Sequence, residues 1–352
     1  MLKILSLFKF HEISKCKFIW AGFVLSMACF LILASYSLAE AGGKKQKIKF
    51  ATLAPEGTSW MKAMRSFDKA VSKESNNEVS FKFYPGGVSG DEKDVIRKMR
   101  IGQIHAAGFT GVGLGEILPE VRILDLPFLF ESDAQILHVY DKMNDYFVGK
   151  FEEKGYVLLG WVPVGWIYFF SKNNIQTVAD LKKSKPWMWE GDPLVEKTYS
   201  ALGVRPVPLS ITDVLLSLQT GMIDTVYASS QGALALQWFT KIKTMSQFRM
   251  GYATGGVLIT KKKFNKLSAE QQAMLKRLGK HHLNQLGEKI RKENESSVKV
   301  MMDNGIQLAA MPSIAQAEEF RQAGANAREK LTGSLFPKKL LDQVLGYMKE
   351  VQ

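Results

Sequence analysis

The chain has 352 residues, 46% of them hydrophobic and 23% charged, enough apolar mass for two ordinary domains or one large α/β unit, which excludes an intrinsically disordered chain. Its formal charge of +13 is interspersed with acidic residues, as where Asp180 sits beside Lys182 and Lys183. No zinc-finger or RNA-recognition pattern accompanies that charge, so it reads as solvated surface, and a nucleic-acid partner is not expected.

At the N-terminus Lys3, Lys9, Lys15 and Lys17 precede an apolar run over 18–34 and then the small residues Ser37, Ala39 and Ala41. That is the layout of a secretory signal peptide over 1–41, with cleavage after Ala41 or after Ala39. The run also approaches the length of a spanning helix, so an uncleaved anchor stays open. Either alternative places Gly42 onward outside the cytoplasm, in a periplasmic location. Both cysteines, Cys16 and Cys29, fall in this leader, so the exported part relies on its core and not on disulfides. The leader's four lysines and two glutamates account for a net two charges, leaving about +11.

The apolar segment 48–54 predicts a strand, and "PEGTSW" turns it into a helix with Trp60, Met64, Phe67 and Val71 on one face. A period-two strand over 79–85 leads through "GGVSG" to a helix from Asp91 to about Ile101, stopped by Gly102. Strand, helix, strand, helix is an α/β pattern. A short strand over 105–111, an apolar patch over 122–130 broken by Pro127 and a helix over 132–154 follow. The run 156–171 contains Pro163 and two glycines, and it predicts two buried strands meeting near 162–164 at a crossover between lobes.

Beyond it the pattern predicts a helical turn at 180–182, a strand over 186–189 and a helix with Asp192 as cap and Pro193 in its first position. Next come an extended 204–210, a helix stopped by Gly221, a strand over 222–229, a short helix over 233–239 and a strand over 251–260. From Ser268 to about Gly305, Met274, Leu275, Leu278, Leu283, Leu286, Ile290, Val298 and Met301 recur at helical spacing. A helix that long is expected to brace both lobes. The expected division is lobe 1 over 42–164 plus 253–292 and lobe 2 over 165–252 plus 293–352.

Six stretches, taken in order, carry a resemblance: "APEGTSWMKAMRSFDKAV", "VSFKFYPGGVSGDEKDVIRKMRIGQIHAA", "ILDLPFLF", "FSKNNIQTVADLKKSK", "ALGVRPVPLSITDVLLSLQTGMID" and the helix after "LSAEQQAML". From Ile48 to past Leu340 the chain resembles the solute-binding subunit of tripartite ATP-independent periplasmic (TRAP) transporters. The resemblance implies a two-lobed α/β fold with a hinge, a small organic ligand held between the lobes, and delivery to a membrane permease driven by an ion gradient. It implies no enzymatic activity and no cofactor. A receptor of the same fold that presents its ligand to a membrane sensor stays open as an alternative.

The family's ligand-binding arginine is expected where "DLKKSKPWMWEGDP" places Trp187, and the polar segment after "G-ID" is here "DTVYAS", with Tyr227 and Ala228. Exchanging a guanidinium for an indole removes fixed donors and adds apolar area, so the expected ligand has a substantial apolar or aromatic part. Trp187, Trp189 and Tyr227 are the first candidate contacts, followed by Gln231 and Trp238. In the first lobe Glu56 and Trp60 lie at a strand-to-helix junction, and Phe109 and Thr110 at a strand end, both places where open α/β sheets bind ligands. Glu190 and Asp192 are read as a cap or a cation site. His281 and His282 are adjacent on a helix and do not share a face, so no metal site is expected there. No nucleophile, base or dinucleotide pattern supports catalysis.

Overall fold

The computed structural model describes residues 45–351, so the expected signal peptide lies outside the described residues. In chain order the strands are β1 (Gln46–Ala51), β2 (Val79–Tyr84), β3 (Ala106–Thr110), β4 (Tyr156–Trp161), β5 (Gly165–Ser171), β6 (Trp187–Trp189), β7 (Val207–Leu209), β8 (Thr225–Ala228), β9 (Thr244–Met245), β10 (Gly251–Ala253), β11 (Gly255–Thr260) and β12 (Gln307–Leu308).

One lobe is built on the sheet β2-β1-β3-β11-β4, in which β1 runs parallel to β2 and β3, and β11 runs antiparallel to β3 and β4. The parallel part needs helical crossovers, supplied by Ser59–Glu74 and Glu92–Arg100. Both faces are apolar: Ile48, Phe50, Val257 and Ile259 pack with the helix residues Phe67 and Leu275, while Ala51, Ala107 and Leu258 join Phe147 and Phe151 on the other side. The alternation of Val257, Leu258 and Ile259 between the two clusters is the strand period showing through a fully covered sheet.

The second lobe carries β10-β5-β9-β12 with β8 paired to β5, and a short parallel pair β6-β7 attached through a bridge between Pro186 and Thr225. The chain passes between the sheets three times, as extended segments from β4 to β5 and from β10 to β11, and then through the long helix that lies between β11 and β12. The two extended passages run side by side, Val162 N donating to Gly255 O at 2.8 Å and Val164 N to Ala253 O at 2.9 Å. The run 251–260, expected as one strand, is therefore two strands in different sheets. Thr254 separates them, its N–H donating to Asp125 Oδ1 at 2.6 Å and its hydroxyl bonded to that of Tyr140.

The helix Ala269–Asp303 starts at a capping box of Ser268 and Gln271 and spans both lobes. Its first half packs Leu275, Leu283, Leu286 and Ile290 on the first sheet, and Met301 joins the core of the second lobe. At the changeover Asn294 donates to Val164 O at 3.0 Å and accepts from Gln231 N at 3.0 Å. Gly165 at φ +116° passes against Asn294, where a Cβ would come within 2.5 Å of its side-chain nitrogen. The last helix, Lys338–Lys349, puts Leu340, Leu341 and Val344 into the cluster around Phe147. These C-terminal residues thus lie on the side of the first sheet.

The lobes are fastened to each other away from the crossing strands. Asp91, the cap of Glu92–Arg100, accepts from Trp189 Nε1 at 3.1 Å, Ser210 Oγ at 2.6 Å and Ile211 N at 3.1 Å. Lys93 Nζ reaches Glu190 O at 2.8 Å beside it. Replacing Asp91 by Ala leaves Trp189 Nε1 and Ile211 N without that acceptor, which costs the closed arrangement about 1–3 kcal/mol. Small-angle X-ray scattering on the exported chain without added solute is expected to show a larger radius of gyration for Asp91→Ala than for the unaltered protein; identical curves would remove Asp91 as a closing contact.

Candidate functional site

Between the lobes lies a cavity of about 260 Å³, bordered by Thr52–Pro55 after β1, Gly108–Val112 at the end of β3, the two crossing segments, and the second-lobe residues around β6 and β8. The strand ends of an open α/β sheet are where backbone turns away and leaves room, so the position follows from the topology. Most of the lining is apolar.

The aromatic wall belongs to the second lobe. Trp187 stacks on Tyr227 with ring centroids 4.8 Å apart at 20°, meets Trp238 edge-on at 5.4 Å, and lies 5.8 Å from Trp189. Its indole N–H donates to Leu209 O at 3.0 Å, and only 1% of its surface is exposed. Trp187 therefore backs the wall, while the half-buried Tyr227 presents its ring more openly. The Tyr227 hydroxyl accepts from Trp189 N at 3.2 Å, and burial, with Asp192 nearby, pushes its pKa well above the usual phenol range. In the first lobe the half-buried Trp60 packs against β3 because Gly108 offers no side chain: a Cβ there would sit 2.2 Å from the indole.

Four charged side chains border the cavity. Arg122, 5% exposed, places Nη2 3.0 Å from Asp192 Oδ2 and Nε 3.1 Å from Asp125 Oδ2. Burial alone would lower the pKa of its guanidinium, but Asp192 and Asp125 together raise it. Burial likewise raises the pKa of Asp125, against the opposing pull of Arg122 and Thr254. Asp192 caps the helix Pro193–Leu202, its Oδ1 accepting from Leu194 N at 3.0 Å. Glu92, 2% exposed, accepts from Thr110 N at 2.7 Å and Gly113 N at 2.6 Å, and burial pushes its pKa up to about 7.

Of the residues singled out from sequence, Trp60, Phe109, Thr110, Trp187, Trp189, Tyr227, Gln231 and Trp238 all border this cavity. Glu56 does not. It is exposed and paired with Arg65 through two bonds of 2.8 and 3.2 Å, because the start of the helix Ser59–Glu74 uses Thr58 as its cap and leaves Glu56 on the surface. Of the cap-or-cation pair, Asp192 is the cap and Glu190 is exposed; among the described residues no cluster of His, Cys, Asp and Glu could hold a metal ion. Asp91, Glu92, Arg122, Asp125 and Asn294 were not foreseen. The signal for two of them was present, since Arg122 and Asp125 are an opposite-charge pair three residues apart in the apolar patch 122–130.

Two α/β lobes joined by paired crossing strands, with an aromatic-walled cavity between them and one long helix along both, define a protein of the two-lobed solute-binding class. The chain belongs to the DctP family, bacterial extracellular solute-binding protein family 7, whose sequence model matches residues 50–332. A solute-binding protein of Chromohalobacter salexigens is 29% identical over 165 residues, 46% of this chain and 49% of that protein, so the match spans about half of that relative. The 2,3-diketo-L-gulonate-binding periplasmic protein YiaO of Escherichia coli K12 is 26% identical over 259 residues, 73% of this chain and 76% of YiaO. Among solved structures, a TRAP periplasmic solute-binding protein from Pseudomonas putida F1 with bound D-glucuronate superposes with a TM-score of 0.78 at 24% identity, covering 85% of this chain and 96% of that one.

Glu92 gives this site a pH signature. Its folded pKa of about 7 lies above the ordinary 4.5, so the folded state holds the proton more tightly than the unfolded chain. Its contribution to stability is fully present below about pH 4.5 and is lost as pH rises through about 7, on the order of 3 kcal/mol in all. Urea denaturation from pH 5 to 8 is expected to show this loss in the unaltered protein and not in Glu92→Gln; parallel profiles for the two proteins would contradict it.

Proposed function

We propose that the chain binds a small organic solute with a substantial apolar or aromatic part in the interlobe cavity and delivers it, outside the cytoplasmic membrane, to an ion-gradient-driven TRAP permease. The observation that carries this reading is the composition of the cavity wall. Tyr227 is backed by Trp187 in one lobe and Trp60 is packed against Gly108 in the other, so a ligand entering the cavity meets two aromatic rings. Ring faces and apolar surface bind by area removed from water, and an aromatic group can bury ~150–250 Å².

Membership of the extracellular solute-binding family supports export and delivery, as do the periplasmic YiaO and the TRAP protein of Pseudomonas putida. Those two relatives bear the names of sugar acids. Here Trp187 stands where the family resemblance leads one to expect an arginine, which supports a less polar ligand for this chain.

The solute released from protein purified out of the periplasm is the ligand for the test. Trp60→Ala is expected to weaken its binding in calorimetry by about 1–3 kcal/mol. Its uptake into proteoliposomes carrying the cognate membrane subunits is expected to require both the chain and an imposed ion gradient. Unchanged affinity in Trp60→Ala would count against the aromatic wall, and equal uptake without the chain would count against delivery.

A further inference from the structure

Every charged side chain that borders the cavity is already engaged by the protein itself. Arg122 is shared between Asp125 and Asp192, its Nε facing Asp125 as an ion pair without hydrogen-bond alignment. Asp125 also takes the N–H of Thr254, Asp192 that of Leu194, and Glu92 those of Thr110 and Gly113. No lysine or histidine borders the cavity among the described residues. The polar groups left over are neutral. The side-chain amide of Gln231 makes no hydrogen bond to the described residues, and the Tyr227 hydroxyl accepts from Trp189 but has no acceptor for its own proton.

We infer that the cavity selects a solute without a charged group: a mainly apolar molecule whose polar end is a neutral donor and acceptor such as an amide, a hydroxyl or a carbonyl. The inference rests on the aromatic-cavity reading and adds the charge class of the ligand to it. A carboxylate entering here meets three acidic side chains and a single guanidinium whose charge is already offset by Asp125 and Asp192, so no net positive charge is left to replace its lost hydration. An ammonium finds carboxylates, but at Asp125 and Asp192 it must lie beside the Arg122 guanidinium that they already hold, and like charges at close range repel. A neutral amide needs neither exchange, since Gln231 can both give and accept a hydrogen bond and Tyr227 can give one.

The cavity, at about 260 Å³, exceeds the roughly 150 Å³ that accommodates a benzene ring, so a two-ring scaffold is a fitting probe. Three matched probes separate the charge classes at pH 7: 2-naphthamide, 2-naphthoate and 2-naphthylmethylamine, titrated into the exported chain freed of bound solute and followed by calorimetry. The amide is expected to bind at least about tenfold more tightly than either charged analogue. A carboxylate or amine that binds as tightly as the amide overturns the inference and leaves the aromatic reading standing. Binding of none of the three overturns the aromatic reading on which the inference rests. Asp125→Asn supplies a second arm, because it releases one side of Arg122: naphthoate is expected to gain about tenfold in affinity. A variant with an unaltered circular dichroism spectrum that still rejects naphthoate overturns the assignment of Arg122 as the neutralised cation.

Discussion

The guanidinium of Arg122, buried between Asp125 and Asp192, ties together the parts of the molecule that make the cavity. Asp125 also receives Thr254, where the chain passes from one sheet to the other, and Asp192 caps the helix that follows the aromatic strand β6. One cation thus fixes the crossing, the end of the aromatic wall and the spacing between lobes. Such an arrangement is stable only while complete: removing one partner of a buried ion pair leaves a desolvated charge, typically a loss of about 3–5 kcal/mol. The raised pKa values of Asp125 and Glu92 have the same origin, because burial penalises the ionised form of each carboxyl.

Around this centre the two lobes use different means for one end. The first lobe supplies fixed geometry: parallel strands whose ends open at Thr52–Pro55 and Gly108–Val112, with Trp60 packed on a glycine. The second lobe supplies aromatic mass, and it is held to the first by polar contacts of Trp189, Ser210 and Ile211 with Asp91. A carboxylate with several short polar contacts across an interface closes in a defined register, which apolar contact alone does not enforce. The long helix adds a lateral brace, with Asn294 bonded both to a crossing segment and to the start of the helix Ser230–Ala235.

Much of this was legible in the sequence where the determinants are local. The helix start at Asp192-Pro193, the stop at Gly221 and the start of the long helix at Ser268 are decided within a few residues, and they appear as read. The break at Thr254 was not legible, because "GYATGGVLIT" is a continuous strand-like run and only its pairing partners, Trp166 on one side and Phe109 on the other, divide it. The short helix expected over 233–239 lies at Ser230–Ala235, and Gln237, in a left-handed conformation at φ 58°, separates it from the next turn. The candidate site was legible through its aromatic residues and incomplete in its charges. Glu56 and Glu92 each lie near the start of a helix in an α/β unit, and only the three-dimensional path places Glu92 beneath Thr110 and leaves Glu56 in solvent with Arg65.

Native mass spectrometry of the exported chain, purified without added ligand and then denatured to release what it carries, decides whether the cavity holds a mainly apolar solute. One released compound with an aromatic or extended apolar part and no ionised group at pH 7 is expected. Release of a sugar acid or a dicarboxylate would contradict it, and would mean that Arg122 leaves its two carboxylates to hold the ligand.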